Sequence, residues 1–481
     1  MKSKLIAITV LLTIFSMLFN NCNLEDNSAI SPLTQAQQDT VKAATQAYIA
    51  GFPLVIMELT KNQFINPEIP VNQFALKQNF VSASDTSVVR PNVDTYYSIA
   101  FLDLTKGAQI LEMPSTIING KTYYYMMPML DAYTNVFISP GTRTGYTNAG
   151  NYLIIGPNDS NLKEYEHDPT IDGIFQAPTN LVWILGRFEV DNSNDAKVVS
   201  QLQKEFDIWS YEQHISPTPK TPIKNVLKYT GNMPNPNQLI QKMPIGVFFN
   251  QMAGLLADNP LTPNDAAINN DLKMIGVAKN QSFDLESFSE PVKNRLELIP
   301  QEVLSMINTY YTKGNGNKDW TVNLDSLMGN YGTDYFLRAV IAYEGLGANR
   351  IEDAVYYANT YDDNQEPLTG DNNYTLTFPK GKLPPVNVDG FWSLTMYLSN
   401  GNLYDNTESV YALGHNTDRP FQYNADSSLT LYIQNQPPND SFTNNWLPAP
   451  RDSFNVLLRA YYPDDAILDS TWTPPTFVIQ E

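Results

Sequence analysis

The sequence predicts an α+β chain, mainly β, made of two β-sandwich domains with a helical region between them. Three observations predict this. Charged residues make up only 17% of the chain, while Asn, Tyr, Thr and Pro are abundant, a mix that favours strands joined by long polar loops. Runs of β-branched and aromatic residues, broken by Gly, Pro, Asn and Asp, fill two separate stretches. Between them the apolar spacing changes to a helical period.

Residues 1–21 read as a signal peptide. Lys2 and Lys4 precede an apolar run, Leu5 to Phe19, too short to span a bilayer comfortably. Cys22, the single cysteine of the chain, follows at the expected cleavage point. The layout is that of a bacterial lipoprotein, with Cys22 as the lipidation site, although Asn20 and Asn21 stand where Ala, Ser or Gly are usual. The alternative is ordinary secretion with a leftover free thiol. No disulfide or thiolate metal site can form after Cys22. A lipid at Cys22 makes the membrane a partner and places the protein in the cell envelope, on the periplasmic or the cell-surface face. Residues 22–32 form a polar tether.

Residues 33–74 hold an N-terminal helix and its connection. Val41, Ala44, Tyr48 and Ile49 share one face, and Pro53 is expected to break the helix. The first sandwich spans 75–194, with strand runs at Tyr96–Leu104, Thr122–Met129, Tyr152–Ile155 and Leu181–Val190. The helical region spans 195–345. It starts with a stripe of Val198, Leu202, Phe206 and Trp209, continues as pieces around Pro300, and ends in a helix from Asp334 to Gly345. The second sandwich spans 346–481, with runs at Tyr374–Phe378, Phe391–Leu398, Leu429–Ile433 and Phe454–Ala460.

The chain has 30 basic and 50 acidic residues. Without the leader 28 basic residues remain, a formal net charge of −22. Such a surface repels nucleic acid, and a neutral or cationic ligand, such as a glycan, or a protein partner is expected instead.

The densest run of unusual residues is Arg90-Pro91-Asn92-Val93-Asp94-Thr95-Tyr96-Tyr97-Ser98. Asp131-Ala132-Tyr133-Thr134-Asn135, Gly141-Thr142-Arg143-Thr144-Gly145, Ala177-Pro178-Thr179 and Gly186-Arg187 follow. Later stand Phe391-Trp392-Ser393-Leu394-Thr395, Asn445-Trp446-Leu447-Pro448-Ala449-Pro450, and Arg459, Tyr461 and Pro463. In these motifs, from about residue 40 to 478, the chain resembles the paired bacterial families of unknown function numbered 1254 (N-terminal) and 1214 (C-terminal). The resemblance implies two β-sandwiches separated by helices, the second of them jelly-roll-like. It implies no reaction.

Arg90, Asn92, Asp94, Tyr96, Asp131, Arg143 and Arg187 are the candidate catalytic or binding residues. Arginines and carboxylates in one cleft hold a substrate carboxylate or phosphate and supply a base, a metal-independent hydrolase or lyase. The plainer reading is an ion-pair network that pins loops. Trp392, Tyr397 and Trp446 form a candidate aromatic platform, or are core. Three separated histidines offer no metal spacing, and no cofactor is expected. Calcium remains an option at Asp362-Asp363-Asn364 or Asp371-Asn372-Asn373. A serine triad could draw only on His167, His214 or His415, and His415 is the one to test. The leading expectation is a ligand-binding envelope lipoprotein. A structural subunit is the third reading, and a homo-oligomer is expected.

Overall fold

The computed structural model describes residues 33–84, 90–218, 225–226, 235–262, 265–314, 320–414 and 417–480. The leader, Cys22, the tether and His415 lie outside these residues.

Helix α1 (Gln35–Phe64) starts at a capping box between Thr34 and Gln37. It continues through Pro53 rather than stopping there. Proline removes one helix hydrogen bond. The residues just beyond it, Leu54, Val55, Ile56 and Met57, are all fully buried. Each such side chain contributes about 1.5–3 kcal/mol, so burial outweighs the break. Gly51 sits where a Cβ would lie 2.4 Å from the Met252 sulfur, so a neighbouring helix can approach closely there.

The first sandwich has two sheets. One contains β1 (Ala75–Lys77), β2 (Thr95–Asp103), β4 (Tyr125–Met126), β5 (Met129–Asp131), β6 (Val136–Ile138) and β9 (Leu181–Glu189). Its path runs β1-β2-β9-β5-β6, with β4 also pairing β9 and the short Asn225–Val226 strand on the β1 edge. The second sheet runs β8-β7-β3-β10, from β3 (Gln109–Met113), β7 (Gly150–Ile155), β8 (Gly173–Gln176) and β10 (Asp207–Ser210). Leu102, Leu111, Tyr125, Ile154, Ile184 and Phe188 fill the space between them. Helix α2 (Ser193–Glu205) ends sooner than its apolar stripe predicts. Phe206 stands at its C-cap, and Trp209 lies in β10, paired to β3, so the stripe crosses from helix into strand.

The outer face of the first sheet is not left to water. Phe101, Leu130, Trp183 and Leu185 join one core with α1 and with α3 (Pro236–Gln241), α4 (Ile245–Leu255), α5 (Ala266–Met274), α6 (Glu290–Gly314) and α7 (Tyr335–Glu344). Helix α6 also runs unbroken through its proline, Pro300. No helix of the described residues is long and apolar enough to cross a membrane.

The second sandwich pairs a five-stranded and a four-stranded sheet. The first runs β11-β12-β18-β14-β15, from β11 (Thr321–Val322), β12 (Ala354–Asn359), β14 (Val386–Leu398), β15 (Ala412–Gly414) and β18 (Phe454–Pro463). The other runs β17-β16-β13-β19, from β13 (Asn373–Phe378), β16 (Leu429–Gln434), β17 (Trp446–Pro448) and β19 (Val478–Gln480). Side chains alternate across a strand. Along β14, Trp392, Leu394 and Met396 enter the sandwich core with Val456, Leu458 and Ala460 of β18. Phe391, Ser393, Thr395 and Tyr397 point the other way, and they too are buried. The first sandwich covers them. Tyr124 and Met126 pack there on Ala354, Phe391 and Tyr461, while Val81 packs with Tyr397, Leu403 and Leu457. The chain is thus mixed, mainly β, with helices between and against two sandwiches.

Candidate functional site

The seam between the sandwiches is where polar side chains are buried in strength. Strand register explains why. In the second sandwich Tyr356 is paired with Arg459, and Arg459 with Ser393, so these three share the face turned to the first domain. Tyr461, two residues beyond Arg459, falls on the same side. In the first domain Arg187 is paired with Tyr97 across β9 and β2, and its guanidinium carbon stands 5.6 Å from that ring's centre. The α7–β12 connection brings Gly347 and Asn349 to Arg187. Gly347 has φ +86°, and a Cβ there would lie 2.9 Å from Leu185. Only glycine lets the connection lie that close in that conformation.

Hydrogen bonds tie the seam together. Arg187 Nη1 donates to Asn349 Oδ1 (2.7 Å), and Asn349 Nδ2 donates to Tyr356 Oη (2.6 Å). Asn92 Oδ1 accepts from the backbone N–H groups of Asp94 and Thr95, so its Nδ2 is turned to Tyr461 Oη and donates to it. Arg459 donates to Thr395 Oγ1, Tyr397 Oη and the Arg90 carbonyl. Tyr397 Oη donates to the Pro91 carbonyl (2.6 Å), and Ser393 Oγ donates to Asp94 Oδ2 (2.7 Å). Arg90 itself has φ +51°, with its N–H bonded to the Gly401 carbonyl. That uncommon conformation is held from both ends by the second domain.

The electrostatics are unusual. Arg187 is 8% exposed and Arg459 3%. Their bonded partners are neutral oxygens, and neither guanidinium is in an ion pair among the described residues. Burial works against both charges, yet the surrounding phenols offset it and hold both pKa values above the ordinary guanidinium range. Asp94 acts on Arg459 from a distance. Burial pushes the Tyr356, Tyr397 and Tyr461 phenols up, so all three keep their protons at neutral pH. Tyr97, Tyr356 and Asp94 are only half-buried, so the seam meets solvent on their side.

The seven charged-cluster candidates part ways. Arg90, Asn92, Asp94 and Arg187 enter the seam. Arg143 reaches it as the partner of buried Asp353 (2.7 Å), an ion pair that joins the two domains. Tyr96 does not enter it. It turns into the first sandwich and packs 5.2 Å from Phe80, and its neighbour Tyr97 faces the seam. Asp131 is elsewhere, in the β5–β6 turn, where its carboxylate accepts from the Tyr133 and Asn135 N–H groups and the Asn135 amide. The aromatic trio is dispersed too. Trp392 is core, stacked on Phe421; Tyr397 is in the seam; Trp446 donates to the Gln434 carbonyl at the β17 edge.

Asp362 caps a turn by accepting from the Asn364 and Glu366 N–H groups, and Asp371 is exposed. Among the described residues no three His, Cys, Asp or Glu side chains gather as metal ligands. Reading the sequence missed Asn349 and Tyr356, and it quoted Tyr97 and Ser393 in motifs without giving them a role. Arg459 and Tyr461 appeared in a motif but were given no role. Their signal is an arginine inside an apolar strand run, Val456 to Ala460.

Residues 71–209 match the protein of unknown function DUF1254, and residues 353–465 match the protein of unknown function DUF1214. The chain is similar to the crystal structure of the VPA0106 protein from Vibrio parahaemolyticus, at 20% identity and a TM-score of 0.68, over 92% of this chain and 100% of that one. An uncharacterized protein from Burkholderia cenocepacia is similar at 11% identity and a TM-score of 0.40, over 92% and 94% of the two chains. The first likeness supports the fold. No curated protein matches the chain.

Proposed function

We propose that this chain, which belongs to the proteins carrying DUF1254 and DUF1214 in that order, is a cell-envelope lipoprotein that binds a small molecule in the seam between its sandwiches. One observation carries the binding reading: side chains from both domains converge on one polar seam, and half-buried Tyr97, Tyr356 and Asp94 line its solvent side. Binding sites favour domain interfaces of this kind. The lone Cys22 behind a basic and apolar leader supports the anchor. The acidic exterior belongs to the outer surface and does not set the chemistry of the seam.

A thermal-shift series on the full mature chain tests the binding reading. Neutral sugars, quaternary amines and small anions are the probes. A ligand that favours the native state raises Tm by mass action. The expected result is a concentration-dependent rise with one class, lost in Arg187→Met. No rise with any class overturns the reading. Intact mass of the mature protein tests the anchor, and an unmodified Cys22 terminus overturns it.

The enzyme reading has one observation in its favour. Asp94, held by Ser393, lies within electrostatic reach of Arg459 and Tyr461, so a carboxylate base and cationic donors share one site. Turnover of a carboxylic or phosphoric ester that stops in Asp94→Asn, with the fold intact, would favour it over simple binding.

A further inference from the structure

We infer that the seam is built to take an oxyanion, a carboxylate or phosphate group, between the hydroxyls of Tyr356 and Tyr461 and the guanidiniums of Arg187 and Arg459. This rests on the binding reading above and adds the class of ligand.

Donor direction within the seam selects the ligand class. An Asn amide has one accepting and one donating end, and the network decides which is which. Asn349 must present its oxygen to Arg187, because a guanidinium only donates. Its nitrogen therefore faces Tyr356 Oη and gives it a proton. Asn92 must present its oxygen to two backbone N–H groups, so its nitrogen faces Tyr461 Oη. Each phenol is thus the acceptor in its bond to an amide. Each has its own hydrogen left to donate, and burial keeps that hydrogen on the oxygen. Tyr397 is the contrast within the same seam. It accepts from Arg459 and gives its proton to the Pro91 carbonyl, so it is spent.

Two phenolic donors turned away from their amides, beside two buried cations with neutral partners, are complementary to negative oxygen. Each interacts with the other's neighbourhood: Tyr356 bears on Tyr461, and both Arg187 and Arg459 bear on Tyr356. A cation gains nothing there, since it would meet two buried positive charges. A neutral sugar adds no anion to the Asp94 carboxylate that already acts on Arg459. An oxyanion accepts from donors already in place, and charge-assisted bonds of this kind are the stronger ones.

Titrating the full mature chain with sodium acetate and with sodium phosphate, against sodium chloride at matched ionic strength, tests this. Tm and the binding isotherm are the readouts. The expected result is a saturable rise with acetate, phosphate or both, absent with chloride. Acetate alone points to carboxylate ligands, phosphate alone to phosphoryl ligands. Tyr356→Phe and Tyr461→Phe remove one donor each and keep the ring. Each should weaken the Kd at least about tenfold. Arg187→Gln serves as a second variant if a phenylalanine variant fails to fold. A seam-dependent rise with a sugar or an amine, and none with either anion, overturns the oxyanion inference and leaves the binding reading standing. No rise with any probe overturns both.

Discussion

Two neighbourhoods of this chain bury guanidiniums among tyrosines, and they balance the charge in different ways. Arg338, on α7, is 3% exposed and lies between the rings of Tyr133 and Tyr335, 5.3 and 5.0 Å from their centres. Its Nε and Nη2 have no acceptor. Two buried carboxylates lie around it all the same. Asp131 feels its charge, and Asp265 accepts from Tyr335 Oη (2.7 Å). The charge is balanced from within the fold. In the seam, the Asp94 carboxylate acts on Arg459, and neither Arg187 nor Arg459 is in an ion pair among the described residues. Stability therefore explains Arg338 and its two acids. In the seam, the proposed oxyanion would supply the balancing negative charge.

The largest effect should come from the ion pair that bridges the domains. Arg143→Met leaves Asp353 buried without its cation and is expected to cost about 3–5 kcal/mol, measured by urea denaturation. Breaking the pair should not add ligand affinity. A loss near zero would mean that the two domains are not welded there.

Arg338→Met comes next. It strips Asp131 and Asp265 of a shared cation that neither touches directly, so about half of that cost, roughly 2 kcal/mol, is expected. Anion binding in the seam should stay as in the wild type. Arg187→Met is the reverse case. Removing an unbalanced buried charge offsets the loss of the Asn349 bond, so stability should change by about 1 kcal/mol or less. Binding should be lost. If Arg338→Met abolished binding and Arg187→Met only unfolded the protein, the comparison would be inverted.

The smallest effect is a pH slope. Burial holds the Asp131 carboxyl above its usual range, against the pull of Asn135 and Arg338. The folded chain then binds a proton more readily than the unfolded one. Its stabilising share is complete below the ordinary carboxylate value and is lost as pH rises through the raised one. The stability of wild type relative to Asp131→Asn should accordingly fall as pH rises above the ordinary carboxylate value, as read from urea midpoints. A difference that grows over that range would place the Asp131 shift in the opposite direction.

Much of the architecture was legible in the chain. Leu181–Val190 and Phe454–Ala460 read as strands because their β-branched and aromatic runs end at Asp and Pro punctuation. Pro53 and Pro300 misled, since a proline breaks a helix only when packing does not outweigh one lost bond. The site was half legible. Arg90, Asn92 and Asp94 sit in one short motif, and that motif does border the seam. Tyr96 was chosen where Tyr97 serves, because adjacent strand residues face opposite ways and only the finished sandwich says which way is in. Ser393, Asn349, Tyr356 and Tyr461 come from 259 to 371 residues downstream and meet Arg90 only through domain docking.

Crystals of the full mature chain, grown with selenate as the main oxyanion, give an anomalous map in which selenium is unmistakable. The account predicts a peak whose oxygens lie within about 3 Å of Tyr356 Oη and Tyr461 Oη, beside Arg187. Selenium found only at exposed lysines, with the seam empty of it, would contradict the account.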